Sequence, residues 1–161
     1  MKILLISDTH GKTAGLRRLL SRMKPAPDMI LHMGDVEGDE DEIRSMAGCP
    51  VEFVRGNCDP FSRNPVFQVI RLQGHTIFMT HGHRYGVKHN LEELIAAARA
   101  ENADIVLFGH THIQKTFTAE GMTFVNPGSL TYPHDGTGNY GFALLEIDQN
   151  QQCHVSLGRL Q

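Results

Sequence analysis

Short apolar runs alternate with amphipathic segments through the first two thirds of the chain. Bounded by polar residues or glycine, these runs predict buried strands at Lys2 to Ser7, Met29 to Met33, Val51 to Arg55, Phe67 to Leu72, Thr76 to Thr80 and Ile105 to Phe108. Apolar positions 16, 19, 20 and 23 share one helix face and predict a helix from Thr13 to Lys24. An acidic helix is predicted from Asp39 to Met46, and a third helix, capped by Asn90, from Leu91 to Ala100.

The last third of the chain has a strand pattern interrupted by turns. Four more strands are predicted at Thr116 to Thr118, Thr123 to Val125, Gly141 to Ile147 and Cys153 to Leu157. Turn residues at Gln73-Gly74, Glu120-Gly121 and Asp148 to Gln151 join neighbouring strands into hairpins. The pattern predicts an α/β fold in which two sheets pack together with helices outside. Without a linker or repeat, we expect one domain spanning residues 1–161.

Composition and charge narrow the function classes. The chain has 40% hydrophobic and 20% charged residues and a formal net charge of −3, which is typical of a globular protein. Because no basic stripe stands out, we expect no dedicated nucleic-acid surface. No apolar stretch approaches the roughly 20 residues of a membrane span, so we expect no membrane association. Three cysteines without a C-x-x-C pair favour reduced thiols and a cytoplasmic location.

Polar residues of metal-ligand type follow the ends of five predicted strands. They are Asp8, His10, Asp35, Asn57, His81, His110 and His112. Asp8 and His10, two residues apart, are expected to leave one face of an extended chain, and the two histidines of Gly109-His110-Thr111-His112 to do the same. Since ligands bind at the carboxyl ends of strands in open α/β sheets, the seven side chains are expected to converge there. Glycines beside several of them would let neighbouring loops approach closely.

The ligand types indicate a transition-metal hydrolase. Four imidazoles, two carboxylates and one amide suit Mn, Fe, Ni, Co or Zn better than Ca or Mg, which prefer oxygen ligands. Asp35 could bridge two ions roughly 3.5–4 Å apart, and a hydroxide between them would attack a phosphoester. Each residue alone is more often a turn former, a cap or a surface histidine, but their joint occurrence favours the site. A structural zinc site is disfavoured because finger-like cysteine pairs are absent.

The order of these motifs carries a family resemblance. D-T-H, G-D, G-N-C-D, H-G-H and G-H-T-H, followed by N-P-G-S at residues 126–129, resemble the calcineurin-like metallophosphoesterase superfamily. Within it, the chain is most similar to the small YfcE-like phosphodiesterases. The resemblance implies an α/β fold, a four-layer α/β/β/α sandwich of two mixed sheets. It also implies two divalent metal ions, with manganese expected first and Ni, Fe, Zn or Co as alternatives.

The resemblance assigns the ligands position by position. Asp8, His10 and His112 would hold one ion, Asn57, His81 and His110 the other, and Asp35 both. Two further residues are candidates for a catalytic role. Cys58 stands where the larger superfamily has a histidine that protonates the leaving oxygen; a thiol beside two cations could lose its proton, and a buried space-filling role carries equal weight. His83 could contact the phosphate or support a ligand, and a structural role is an equal alternative.

These observations predict a dinuclear metal-dependent phosphodiesterase. With little chain outside the core fold to form a cap, a small phosphoester is the expected substrate. A phosphomonoesterase or nucleotide phosphatase would use the same two-metal chemistry. A scaffold protein is a third alternative, because a retromer subunit similar to this family is thought to act in that way. The apolar pattern leaves a homo-oligomer open.

Overall fold

The first of two sheets combines the start and the end of the chain. The computed structural model describes residues 1–136 and 138–160. This sheet has the order β10-β9-β1-β2-β3, with β1 Lys2–Ile6, β2 Met29–His32, β3 Val51–Phe53, β9 Tyr140–Ile147 and β10 Cys153–Leu160. Strands β1, β2 and β3 are parallel, and β9 and β10 add to them as an antiparallel pair. The carboxyl ends of the three parallel strands therefore lie at one edge.

The second sheet comes from the middle of the chain. Its order is β4-β5-β6-β8-β7, with β4 Phe67–Leu72, β5 His75–Thr80, β6 Ile105–Leu107, β7 Lys115–Ala119 and β8 Met122–Asn126. Strands β5, β6 and β8 are parallel, whereas β4 and β7 are antiparallel to their neighbours. In the described residues, three α-helices accompany the sheets, α1 Ala14–Arg22, α2 Glu40–Ala47 and α3 Glu92–Ala100, and a short 3-10 helix spans His83–Tyr85.

Three apolar clusters separate the layers. Ile3 and Leu5 of β1 pack against Ile77 and Met79 of β5 between the two sheets. The next residues along β1, Leu4 and Ile6, face the opposite way and pack with α1 and α2. Side chains of α3 and the outer face of the second sheet form the third cluster. Alternation along each strand thus gives both sheet faces an apolar surface, and the predicted four-layer α/β/β/α sandwich of two mixed sheets is confirmed.

The elements form where the pattern predicts them, with different ends. The first helix occupies Ala14–Arg22 rather than Thr13 to Lys24. The third begins at Glu92, with Leu91 rather than Asn90 at the capping position; Asn90 Oδ1 still accepts the Glu92 N–H at 3.1 Å. The β9–β10 hairpin continues to Leu160, beyond the predicted end at Leu157. In the described part of the chain, no helix is long and apolar enough to cross a membrane.

Candidate metal centre

All seven predicted ligands lie at one edge of the sandwich, in the loops that leave β1, β2, β3, β5 and β6. His81, at the end of β5 in the second sheet, donates from Nδ1 to the main-chain oxygen of Met33, at the end of β2 in the first sheet, at 2.6 Å. The Asp8 Oδ2 atom, from the first sheet, accepts the main-chain N–H of His110 from the second at 3.2 Å. The carboxyl ends of both sheets therefore meet in one cluster, to which both sheets contribute side chains.

The backbone at the cluster is not extended, so the prediction that the paired ligands leave one face of an extended chain was wrong. Five candidates have positive φ angles between 47° and 67°: Asp8, His10, Asp35, His110 and His112. That left-handed region is unfavourable for residues with a Cβ and costs of order 1–3 kcal/mol where the surrounding structure enforces it. The paired ligands converge because the chain turns at each of them, and not because alternate residues share one strand face.

Two glycines permit the close approach of the loops. A Cβ at Gly56 would lie 2.0 Å from Asp35 Oδ1, and a Cβ at Gly109 would lie 2.0 Å from Ser7 Oγ and 2.9 Å from Asp8 Oδ2. All three distances are shorter than van der Waals contact, so another residue at position 56 would displace Asp35, and one at position 109 would displace Ser7 and Asp8. The glycines of G-N-C-D and G-H-T-H are thus required by the positions of Asp35 and Asp8.

The candidate ligand atoms form overlapping groups. Asp8 with His10 and His112, Asp35 with His10 and Cys58, and Asp35 with Asp8 and His81 each bring three ligand atoms within 4.8 Å of one another. His81 Nε2 lies 3.4 Å from Asp35 Oδ2 and 3.1 Å from Asn57 Oδ1. The His110 ring lies 5.0 Å from the His81 ring, between centroids. Asp8, His10 and Asp35 each belong to two of the three groups, so the groups share their ligands.

Three histidines have their Nδ1 atoms engaged by oxygen acceptors. His10 Nδ1 lies 2.7 Å from Glu37 Oε1, His81 Nδ1 lies 2.6 Å from the Met33 oxygen, and His112 Nδ1 lies 2.6 Å from the Tyr132 oxygen. These partners only accept, so each Nδ1 carries the proton and donates it. A neutral imidazole then has its lone pair on Nε2, which is the usual arrangement of a metal-binding histidine.

The Nε2 atoms face other acceptors. His10 Nε2 lies 3.4 Å from His112 Nε2, which in turn lies 3.0 Å from Asp8 Oδ1. Asp8 is fully buried, yet among the described residues its Oδ1 accepts no hydrogen bond of good geometry. A proton on one nitrogen would satisfy one such contact, because a donor points in one direction. A cation among these atoms would satisfy all of them at once, so the donor set fits divalent metal binding.

The pKa values of the clustered side chains, without metal, reflect the same crowding of carboxylates and imidazoles. Burial by itself would raise the pKa of both carboxylates. Contacts with histidines outweigh burial, chiefly His112 at Asp8 and His81 at Asp35, and both pKa values lie below the ordinary range. Burial by itself would lower the pKa of His81, and the nearby Asp35 and Asp8 raise it. Burial, then His81 and Lys88, lower the pKa of His110 to about 4. The His110 imidazole is therefore neutral near pH 7 and able to ligate.

Comparison with known proteins decides the family. The model of the calcineurin-like phosphoesterase superfamily domain matches residues 1–150. The chain belongs to this superfamily. It is 35% identical over 150 residues to the probable metallophosphoesterase YsnB of Bacillus subtilis, covering 92% of this chain and 86% of that one. It is 28% identical to the phosphodiesterase YfcE of Escherichia coli, with 88% and 86% covered.

A solved structure extends the likeness. Vps29 of Entamoeba histolytica, in a structure described as its complex with Zn²⁺, superposes with a TM-score of 0.76 at 26% identity, covering 99% of each chain. The family and YfcE-like resemblance that the motifs predict is confirmed. A family of metallophosphoesterases accounts for a cluster rich in histidine and carboxylate at the strand ends.

Cys58 and His83 border the cluster from different sides. The Cys58 N–H donates to Asp35 Oδ1 at 2.8 Å, and burial together with the Asp35 charge raises the pKa of its thiol to about 11. In the protein alone, the thiol therefore keeps its proton, whereas the sequence argument for a thiolate depended on cation charge. The His83 ring lies 5.3 Å from that of His81, and its Nδ1 is buried without a hydrogen-bond partner in the described residues.

One carboxylate was missed by the sequence reasoning. Asp59, which ends the G-N-C-D motif, is 4% exposed and accepts four main-chain N–H groups at 2.7–2.8 Å. Three come from the loop after β2 (Asp35, Val36 and Glu37), and the fourth comes from Gly56 after β3. Asp59 thus ties together the loops that present Asp35 and Asn57. The sequence signal for it was an acidic residue two positions beyond the predicted ligand Asn57.

The N-P-G-S segment, residues 126–129, forms hydrogen bonds with the loops that carry the predicted ligands. Asn126 Nδ2 donates to the Gly109 oxygen at 2.9 Å and to Thr111 Oγ1 at 3.0 Å. Ser129 Oγ donates to the main-chain oxygen of Asp8 at 2.8 Å. These bonds fix the loops on either side of Asp8 and the G-H-T-H motif. His134, to which the sequence assigned no role, stacks on the ring of His112 with 4.5 Å between centroids.

Proposed function

We propose that this protein is a dinuclear metal-dependent phosphodiesterase that hydrolyses small phosphodiesters. Asp8, His10 and His112 would hold one divalent ion, Asn57, His81 and His110 the second, and Asp35 both. The observation that carries the proposal is the close approach of three histidine Nε2 atoms and two carboxylates, with 3.0–3.4 Å between neighbouring atoms. Manganese is the first metal to test, since nitrogen and oxygen ligands in this proportion suit it.

When bound, the ions would supply positive charge to the phosphoryl oxygens and acidify a water molecule. The side chains of the protein would position the phosphoryl group. His83, whose half-buried ring lies 5.3 Å from that of His81, would hydrogen-bond a phosphoryl oxygen beside the second ion. Cys58, within reach of Asp35 and His10, would border the phosphoryl group on the other side. Because its thiol is a weak proton donor, activated leaving groups would react faster than alkoxides.

A small substrate and a cytoplasmic setting fit the rest of the molecule. The formal charge of −3 offers no general attraction for nucleic acid. Cys49, Cys58 and Cys153 are all free thiols, as in a reducing compartment. Phosphodiester rather than monoester specificity is supported by the likeness to YfcE, which is named a phosphodiesterase.

The test compares two carboxylates that both contact a histidine. After metal removal and reconstitution with Mn²⁺, hydrolysis of bis-p-nitrophenyl phosphate is followed beside that of p-nitrophenyl phosphate. Asp35→Asn removes the bridging charge and is expected to lower kcat on the diester by roughly 10³-fold. The control is Asp104→Asn. Asp104 directly precedes β6, and its carboxylate contacts His75 at the start of β5; this variant should leave kcat within about twofold of the parent.

Other results of this experiment would favour one of the alternative functions or exclude the proposed site. Activity confined to the monoester would indicate a phosphomonoesterase on the same site. No turnover with Mn²⁺, Ni²⁺ or Zn²⁺, although calorimetry shows that the metal binds, would favour a binding protein, for which the likeness to a zinc complex of Vps29 is the relevant parallel. Equal turnover by Asp35→Asn and the parent protein would exclude the proposed site.

A further inference from the structure

A groove of about 610 Å³ opens beside the metal cluster, between the segment that precedes α3 and the start of β7. Val87, Lys88 and Leu91 line one wall, and Ile113 and Lys115 line the other; we call it the Lys88 groove. Its volume lies within the range of small-molecule sites, roughly 300–1,000 Å³. The groove is large enough for one substituent of a phosphodiester.

The groove is continuous with the proposed ligands. Thr111, which lies between His110 and His112 in the chain, and Asn126 contribute to its lining. His134 lines it as well, stacks on His112, and donates its main-chain N–H to the His112 oxygen at 3.0 Å. A phosphoryl group at the metal cluster would therefore place one of its ester arms at the mouth of the groove.

The lining combines an apolar floor with positive charge. Phe108 and Val87 provide buried apolar surface, at 3% and 7% exposed, and Ile113, 45% exposed, extends it outward. Lys88 and Lys115 are exposed, and no acidic side chain lines the groove. Within the described residues, neither lysine forms an ion pair, although Lys115 Nζ lies 5.0 Å above the Phe117 ring.

The opposite side of the cluster has the reverse charge. A second depression beside Cys58 is lined by Glu37, Glu40 and Asp59. The chain as a whole is acidic, so the basic lining of the Lys88 groove does not follow from composition. An arm with a negative end would be repelled on the Cys58 side and attracted on the Lys88 side. The two sides therefore orient an asymmetric substrate.

We propose that the Lys88 groove binds one ester arm of the substrate, and that this arm has an apolar body and an anionic end such as a carboxylate or a second phosphate. This inference rests on the proposed phosphodiesterase function and specifies its substrate class. The apolar floor would cover the body of the arm, and Lys88 and Lys115 would pair with its end.

The test uses two p-nitrophenyl aryl phosphates that differ only at the end of the aryl arm. One carries a 4-(carboxymethyl)phenyl group and the other its carboxamide, so size and leaving group are matched. At low ionic strength, kcat/KM should favour the acid by roughly fivefold, mainly through KM, since exposed ion pairs contribute modestly. The preference should shrink at high salt.

Variants locate the effect. The double variant Lys88→Gln/Lys115→Gln should bring the ratio of acid to amide to about one. Lys24→Gln, which removes the same charge from an exposed position between α1 and β2 at the other edge of the sandwich, should keep the ratio of the parent. A parent protein without preference for the acid, or a preference that persists in the double variant, would overturn the proposal.

The inference remains testable if neither diester is hydrolysed. In that case, the proposed function fails, and calorimetry on the Mn²⁺-loaded protein would compare the 4-(carboxymethyl)phenyl phosphate monoester with its amide. Tighter binding of the acid that is lost in the double variant would support the groove as an anionic-arm site without catalysis. Equal affinities would exclude it.

Discussion

Histidine and aspartate meet at both edges of the sandwich, with different results. At the edge where β5 and β6 begin, His75 Nδ1 contacts Asp104 Oδ2, His75 Nε2 lies 2.9 Å from the Gln151 oxygen, and Asp104 Oδ1 accepts the Thr76 N–H at 2.7 Å. Every polar atom of that pair has a partner. At the carboxyl-end edge, His112 Nε2 and Asp8 Oδ1 approach to 3.0 Å, and Asp8 Oδ1 accepts no well-formed hydrogen bond in the part of the chain that the structure describes.

The difference separates a structural pair from a ligand cluster. The His75 pair is satisfied when the imidazole carries a proton on each nitrogen, because both nitrogens face oxygen acceptors. It is partly exposed and stabilises the fold without a further component. In the cluster, Asp8, Asp35 and His81 are buried, histidine Nε2 atoms approach one another and carboxylate oxygens within 3.0–3.4 Å, and five non-glycine residues have positive φ. Unfavourable geometry of this kind persists where the rest of the fold enforces it and a function uses it. The two edges therefore provide matched substitutions with opposite expected consequences.

The largest effect on the free energy of unfolding is expected from Asp59→Asn. The amide would turn an NH₂ group toward two of the four main-chain N–H donors that the carboxylate now accepts. We expect a loss of about 2–3 kcal/mol in the free energy of unfolding, since buried donors would lose their acceptor. Metal affinity should fall by roughly 10–100-fold because the loops of Asp35 and Asn57 would separate. Urea unfolding and calorimetric Mn²⁺ titration measure the two quantities.

Asp148→Asn is the matched control for Asp59. Asp148 Oδ1 also accepts two main-chain N–H groups, from Asn150 and Gln152, but it lies in the β9–β10 turn at the opposite edge. This variant should lose some stability and keep the Mn²⁺ affinity of the parent. If Asp59→Asn binds Mn²⁺ as tightly as the parent does, Asp59 stabilises the fold without positioning the ligands.

The next effect is stabilisation by metal. A ligand present at 100 times its Kd stabilises the folded state by about 2.7 kcal/mol, which for a chain of this size raises Tm by several degrees. We expect Mn²⁺ to raise the Tm of the parent and of His75→Gln by similar amounts, and to have little effect on His112→Gln. Calorimetric or fluorescence melting with and without chelator measures the shift. A full shift in His112→Gln would remove His112 from the ligand set.

The sequence was sufficient for the layers and for the location of the cluster. The continuous apolar run after Lys2 predicts a buried strand, and the motifs follow strand ends, where parallel strands of a sheet share an edge. It was not sufficient for the local backbone. Nothing in D-T-H or G-H-T-H distinguishes extended residues from residues at positive φ, since that choice depends on contacts between the two sheets. Asp59 and His134 were missed for the same reason, because their partners are distant in the chain.

The smallest expected effect concerns the satisfied pair and its pH dependence. Burial by itself would lower the pKa of His75, but the contacts with Asp104 and the Gln151 oxygen raise it above the ordinary value. A raised histidine pKa contributes stability that is fully present below the unfolded pKa and is lost as the pH rises through the folded pKa. Asp104→Asn should therefore cost more stability at pH 5.5 than at pH 9. Because the Asp104 side chain is 45% exposed, the difference should stay below about 1 kcal/mol. Urea unfolding of the parent and of Asp104→Asn at the two pH values measures this difference. A larger loss of stability at pH 9 than at pH 5.5 would show that Asp104 does not stabilise the charged form of His75.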